Sequence, residues 1–149
     1  MPSYDLTAGY IVDPQTGKQL GSYLYAILPV VTLQGVTKDG EVFGSPWSGK
    51  AMIDTGANRS AVYSPLVRDL HLLGKGSQSD ATGAQAEPAP LYLARITLLD
   101  RTADLRMVDR ADFDPVTAQL FEVIIGTDLL QSCRFRYNDP RGKFTLEYH

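Results

Sequence analysis

The chain has 149 residues, of which 44% are hydrophobic and 21% charged; this suits one globular domain and excludes a disordered chain. Its net charge of −3 at pH 7, with no cluster of Lys and Arg, argues against nucleic acid as a partner. The single cysteine, Cys133, excludes an intrachain disulfide and, with only two histidines, gives no zinc-like spacing, so no metal site and no cofactor are predicted.

The N-terminal segment has no basic start followed by an apolar stretch, so no signal peptide is predicted. The longest apolar run, residues 23–31, is far too short to span a bilayer, so no membrane segment is predicted either. These two observations leave the compartment undetermined but favour the cytoplasm for the chain as given.

The first half of the chain contains segments rich in β-branched and aromatic residues, which are typical of strands. Pro65 suits the first position of a helix because its missing N–H costs nothing there, and Ser64 before it can act as the helix cap. The predicted elements are a strand over residues 22–35, a turn at Asp39-Gly40 followed by a loop within 36–49, a short strand over 50–54 and a short helix over 63–73.

The second half continues the β pattern after a small, polar, glycine-rich segment, residues 74–90, which predicts a loop or a hairpin tip. Residues 120–126 are almost all apolar, as in a strand that is buried on both faces. The remaining predicted elements are strands over 91–99 and 103–109, a loop over 111–119, a helical turn over 127–133 and a closing hairpin over 134–148.

The segment GSPWSGKA, residues 44–51, shares Gly44, Gly49 and Lys50 with phosphate-binding loops. Ala51 stands where such a loop needs Ser or Thr, and strand-like residues follow where a helix would direct its N–H groups at phosphate. The segment is therefore predicted to be a plain connecting loop.

The segment AMIDTGANRS, residues 51–60, runs an apolar strand directly into the carboxylate of Asp54. A buried charge is costly unless something pairs with it, so Asp54 either opens an ordinary surface turn or lies in a cleft for a chemical reason. A second segment, EVIIGTDLL at residues 122–130, places apolar residues before Gly126 and a helical turn after it.

Together these segments resemble the retropepsin-like aspartic proteases, single-domain relatives of the pepsin fold, over residues 26–148. Asp54-Thr55-Gly56, followed by Ala57, matches the catalytic triplet, and Gly126 matches the glycine of the second loop at the active site. Residues 133–148 resemble the closing strands of the bacterial members. The resemblance implies an all-β fold with one or two short helices, closed into a pepsin-like barrel with one lobe per chain.

The resemblance also implies a division of the chain and a set of site residues. Residues 1–25 have no counterpart in the family and form an N-terminal extension, and residues 26–149 form the single domain. The segment SDATGAQ, residues 79–85, falls where the flap hairpin is expected. The implied site residues are Asp54, Thr55 and Gly56 for catalysis, Ala57, Asn58, Arg59, Thr82, Gly83 and Ala84 for substrate binding, and Gly126 and Asp128 for structure near the site.

The implied chemistry is peptide hydrolysis by a water that is activated between two carboxylates, one acting as base and the other as acid. Like charges at close range cannot both ionise, so such a pair shares a proton. The chain carries one Asp-Thr-Gly, so the resemblance implies a homodimer acting on a peptide or protein substrate, because a two-fold axis supplies the same loop twice.

The sequence departs from the retroviral pattern at Arg59, where an acidic residue is usual, and at Thr127, where an arginine is usual. One hypothesis is a salt bridge between Arg59 and Asp128 with exchanged charges; the alternative is that Arg59 faces the substrate. The weakly matching flap also leaves open a catalytically weak or inactive module of the same fold for dimerisation or peptide binding. A third interpretation is an unrelated small β-barrel binding protein.

Overall fold

The computed structural model describes residues 3–78, 89–110 and 119–149, and most of these residues lie in β-strands. The helices are short, which confirms the prediction of a mainly β chain with one or two short helices. The elements are β1 (Ser3–Asp5), β2 (Thr7–Val12), β3 (Gln19–Tyr25), β4 (Ile27–Val36), β5 (Val42–Ile53), β6 (Ala61–Tyr63), α1 (Ser64–Asp69), β7 (Leu73–Gln78), β8 (Ala89–Leu98), β9 (Arg101–Arg110), β10 (Val123–Ile125), α2 (Thr127–Leu130), β11 (Cys133–Asn138) and β12 (Lys143–Tyr148).

Six strands close into a barrel. Their hydrogen-bonded order is β4-β5-β10-β6-β9-β8, and β8 pairs back with β4, while β7 pairs with the remaining length of β8. Apolar side chains fill the interior, among them Leu33, Ile96 and Met107, each 0% exposed. The prediction of a closed β-barrel is therefore confirmed.

The strand β10 lies between β5 and β6, although β5 and β6 follow each other in the sequence. It pairs in parallel with β5, with Ile125 opposite Ile53, and antiparallel with β6. The connection from β5 to β6, residues 54–60, therefore has to cross two strand spacings, about 10 Å. We name these residues the triplet loop.

A separate three-stranded sheet has the order β1-β12-β11 and contributes Phe144 and Leu146 to the same apolar core as the barrel. The strands β11 and β12 form the predicted closing hairpin, joined through a 3-10 turn at Asp139–Arg141. The strand β1, which belongs to the predicted extension, pairs with β12, and β2 pairs with β3 in a hairpin of its own. The domain boundary at residue 25 stays a prediction.

The prediction of a loop after the Asp39-Gly40 turn is wrong, because these residues form the first part of β5. Glycine, serine and proline suggested a loop, but aromatic rings cover Gly35 and Gly49, two of the three glycines in β4 and β5. A Cβ on Gly35 would lie 2.4 Å from the Phe43 ring, and one on Gly49 would lie 2.3 Å from the Trp47 ring. Such rings shield the glycine backbone and support a strand where glycine alone would weaken it.

Two further local predictions need correction. The single strand predicted over residues 22–35 is divided at Ala26, which belongs to neither β3 nor β4. The Ala26 carbonyl accepts a hydrogen bond from the N–H of Ile53. The helix predicted over residues 63–73 ends at Asp69, and Ser64 lies inside it rather than capping it, because its hydroxyl donates to Asp109. Over the three described ranges, every helix falls short of the length and apolar character that crossing a membrane requires.

Candidate active site

Asp54 is the first residue after β5, where the triplet loop begins. Its N–H donates to the carbonyl of Ile125 on β10 at 2.9 Å, which fixes the residue to the neighbouring strand. Its Oδ1 accepts the Gly56 N–H at 2.9 Å, and its carbonyl accepts the Ala57 N–H at 3.2 Å. Asp54 is half-buried, so its carboxylate is held by the loop and still reaches solvent. This is how an apolar strand can end on a charge.

Gly126 lies against the triplet loop with no room for a side chain. A Cβ at this position would lie 2.7 Å from both the backbone C and O of Arg59 and 2.8 Å from the carbonyl oxygen of Ala57. The next residue, Thr127, donates its N–H to that same Ala57 carbonyl at 2.8 Å. The two loops are thus in backbone contact, which a residue without Cβ permits.

Ser60 and Asp128 join the end of the triplet loop to α2, and we name this pair the clasp. Ser60 is 0% exposed; its N–H donates to Asp128 Oδ2 at 2.9 Å and its hydroxyl donates to Asp128 Oδ1 at 2.7 Å. The Ser60 hydroxyl also accepts the Gly126 N–H at 3.0 Å, and Leu129 donates its N–H to Asp128 Oδ1 at 2.9 Å. Hydrogen bonds to a carboxylate are shorter and stronger than those between neutral groups, so the clasp fixes the end of the triplet loop to α2.

The hypothesis of a salt bridge between Arg59 and Asp128 is wrong. Both oxygens of Asp128 accept hydrogen bonds from Ser60, and no ion pair between Arg59 and Asp128 occurs within the described part of the chain. A guanidinium at this point would compete with the two Ser60 donors for the same oxygens. The role of Arg59 in substrate binding stays a prediction.

The other predicted residues of the triplet loop differ in their surroundings. Thr55, Gly56 and Asn58 are exposed, whereas Ala57 packs against a small apolar cluster that includes Ile27 and Phe121. Within the described ranges, the Thr55 hydroxyl makes no hydrogen bond. The clasp, rather than Thr55, therefore closes the loop inside one chain.

The predicted flap residues Thr82, Gly83 and Ala84 lie outside the described residues. The strands that lead to and from them are described: β7 ends at Gln78, β8 begins at Ala89, and the two pair antiparallel.

Ser60 is the residue of this site that sequence reasoning missed. Its signal is faint: a hydroxyl directly before the buried residues Ala61 and Val62, at the point where the loop rejoins the sheet. As for metal ligands, the three described ranges bring no three His, Cys, Asp or Glu side chains together in a group that could hold an ion.

Comparison with solved structures finds similarity to the crystal structure of a retropepsin-like aspartic protease from Rickettsia conorii. The TM-score is 0.49 and the sequence identity 17%, over 85% of this chain and 96% of that chain. No model of a known protein family matches the chain, and no curated protein matches it either. Any assignment of function must therefore come from the geometry around Asp54.

Proposed function

We propose that the chain is an aspartic endopeptidase of the retropepsin type, active as a homodimer. The observation that carries this proposal is the setting of Asp54: an accessible carboxylate at a strand end, on a loop that β10 and the clasp both hold in place. A catalytic group needs such a rigid support, because small displacements from the productive geometry cost large factors in rate.

One carboxylate activates water as a base but cannot at the same time protonate the leaving amine, so the mechanism needs a second carboxylate. The chain offers one Asp-Thr-Gly, and Thr55 and Gly56 beside Asp54 are exposed. In the proposed dimer a two-fold axis passes next to these residues and brings Asp54 of both protomers together. The pair then shares one proton and supplies both the base and the acid.

The neighbouring residues take the supporting roles in this proposal. Gly56 allows the substrate backbone to approach closely because it lacks a Cβ. Ala57, Asn58 and Arg59 bind the substrate in this proposal, as do Thr82, Gly83 and Ala84, which lie outside the described residues. Gly126 and Asp128 act on the reaction only through the position of the triplet loop.

The direct test is cleavage of a peptide library by the wild-type protein and by Asp54→Asn at acidic to neutral pH. The variant keeps the shape of the side chain and should lose activity by a factor of about 10² to 10⁴ or more, the usual contribution of a general acid–base group. Asp39→Asn, in an exposed turn, is the matched control and should cleave like the wild type. Cleavage by Asp54→Asn at the wild-type rate would remove Asp54 as the catalyst.

The homodimer has its own test. Specific activity should fall on dilution below the dimer dissociation constant, and an excess of Asp54→Asn chain should suppress the wild type by forming hybrid dimers with one carboxylate. A rate strictly proportional to the concentration of a monomer would contradict the proposal. A folded chain that binds peptides without cleaving them would instead support the peptide-binding module.

A further inference from the structure

The geometry points to a second binding site, remote from Asp54 in the sequence, that takes a phosphate monoester group on the outer face of the β1-β12-β11 sheet. A groove of about 580 Å³ opens there. Its lining residues are polar or basic apart from one phenylalanine: Ser3, Arg136, Asn138, Arg141, Lys143, Phe144 and Thr145. The proposal is independent of the proposed protease function.

The strand register brings these side chains together. Ser3 lies opposite Thr145, and Thr145 lies opposite Arg136, so the three form one row across the sheet. Side chains directly opposite each other in antiparallel strands share a face. Phe144, between Lys143 and Thr145 on β12, points the other way, where it is 0% exposed and stacks on Tyr4. The polar row is therefore the outer face of the sheet.

The charges of this face are not balanced. Lys143 pairs with Asp5, and Arg134 pairs with Glu147 at 3.9 Å. Arg136 and Arg141 line the groove, and neither has an ion-pair partner in the described ranges. A chain with a net charge of −3 thus holds two uncompensated guanidinium groups beside the Lys143 ammonium in one groove.

A hydroxyl among the lining residues also lacks a partner. The Oγ1 of Thr145 is buried and makes no hydrogen bond, although a hydroxyl can donate one and accept two. It belongs to the same row as the Arg136 guanidinium and the Ser3 hydroxyl. Since this oxygen is covered, the donors that a ligand in the groove can reach are the two guanidinium groups and the Ser3 hydroxyl.

A phosphate monoester fits this donor set better than a single carboxylate does. It carries a charge of about −1.5 to −2 at pH 7 and three acceptor oxygens, whereas a carboxylate carries one charge and two oxygens. Guanidinium groups bind phosphate through two parallel hydrogen bonds, and those of Arg136 and Arg141 have no ion-pair partner in the described ranges. The groove is also within the usual volume range of small-ligand pockets, about 300–1,000 Å³.

Calorimetric titration of the full chain with inorganic phosphate, at constant ionic strength set by sodium chloride, tests the site. We expect saturable binding, weakened about tenfold or more by Arg136→Gln or by Arg141→Gln, since each removes a charge-assisted contact. Thr145→Val should leave binding nearly unchanged, because the Thr145 hydroxyl is covered, and should leave the thermal stability of the free protein unchanged or higher. Asp54→Asn should bind phosphate like the wild type. Circular dichroism establishes that each variant is folded.

Arg134→Gln is the matched control, because Arg134 lies on the same strand and pairs with Glu147 instead of lining the groove. Absence of saturable binding, or an equal loss in Arg134→Gln and Arg136→Gln, would overturn the proposal in favour of general charge attraction. A second arm compares a phosphoserine peptide with inorganic phosphate, and the unphosphorylated peptide, which should not bind, is its control. Tighter binding of the phosphopeptide than of inorganic phosphate identifies a protein ligand, and equal binding identifies a small phosphorylated molecule.

Discussion

Replacing Asp128 by alanine should lower the free energy of unfolding by about 3 kcal/mol, because hydrogen bonds to a charged acceptor contribute about 1.5–3 kcal/mol each. The substitution removes two bonds from Ser60, at 2.9 and 2.7 Å, and one from the Leu129 N–H. Ser60 is 0% exposed and would keep a buried N–H without an acceptor, whereas the half-buried Asp128 site admits some compensating water. The expected loss of about 3 kcal/mol is therefore smaller than the three hydrogen-bond contributions added together.

Thermal unfolding followed by circular dichroism measures this loss. For a chain of this size, 1 kcal/mol corresponds to about 2–4 °C, so Tm should fall by about 6–12 °C in Asp128→Ala. Asp128→Asn keeps one acceptor oxygen and should lose about 1 kcal/mol. Asp100→Ala, which removes an exposed carboxylate from a turn, is the control and should stay within about 0.5 kcal/mol of the wild type.

A double-mutant cycle with Ser60→Ala separates the clasp from general effects of a lost charge. The two substitutions should be non-additive by about 1–2 kcal/mol, as for residues that share a hydrogen-bond network. The same cycle with Arg59→Ala in place of Ser60→Ala should give a coupling energy near zero. A wild-type Tm in Asp128→Ala, or additivity with Ser60→Ala, would refute the clasp.

Gly126→Ala should destabilise the fold by about 3 kcal/mol or more in urea unfolding, because the new Cβ meets backbone atoms of the triplet loop that cannot move aside. Hydrogen bonding to Arg95 lowers the pKa of Asp104, so this pair stabilises the fold at neutral pH. The stabilisation is lost as the pH falls through the lowered pKa. Asp104→Asn should therefore be less stable than the wild type at pH 7, and the difference in stability should vanish in acid. Burial is the main cause that raises the pKa of Glu122, and the charge of Asp69 adds to it, so ionisation of Glu122 destabilises the fold. Glu122→Gln should therefore be more stable than the wild type at pH 7 and equally stable below pH about 4. Unfolding curves across pH check both, and a difference that does not change with pH would contradict either one.

The features that sequence reasoning identified have local signals. An apolar strand that ends on Asp-Thr-Gly, an apolar segment before Gly126, and segments rich in β-branched and aromatic residues are all visible over a few consecutive residues. The two motif segments led to the barrel class through the resemblance to retropepsin-like proteases, and the strand pattern predicted the closing hairpin. Gly126 was singled out as a structural residue near the site, and its contact with the triplet loop gives a physical reason for a glycine at this position.

The features that it missed depend on contacts between residues far apart in the sequence. Ser60 and Asp128 are separated by 68 residues, and nothing in the neighbourhood of either one specifies the other. The retroviral pattern with its charges exchanged therefore suggested Arg59 as the partner of Asp128, whereas the N–H and hydroxyl of Ser60 are its donors. The first part of β5 was assigned to a loop for a related reason, because Phe43 covers Gly35 of β4 only once the β4–β5 pair has formed.

The position of β10 between β5 and β6 has a consequence for the order in which the chain folds. The triplet loop can take its final shape only after residues 123–128 have inserted, and these come late in the chain. During synthesis, Asp54 therefore emerges on an open loop and stays there until the C-terminal third is available, and this long-range closure is a slow event. A ribosome-bound chain would carry Asp54 on a loop that neither β10 nor the clasp yet holds in place. Pulsed hydrogen exchange should show the Asp54 and Gly126 N–H groups gaining protection in the same kinetic phase, and earlier protection of Asp54 alone would speak against this order.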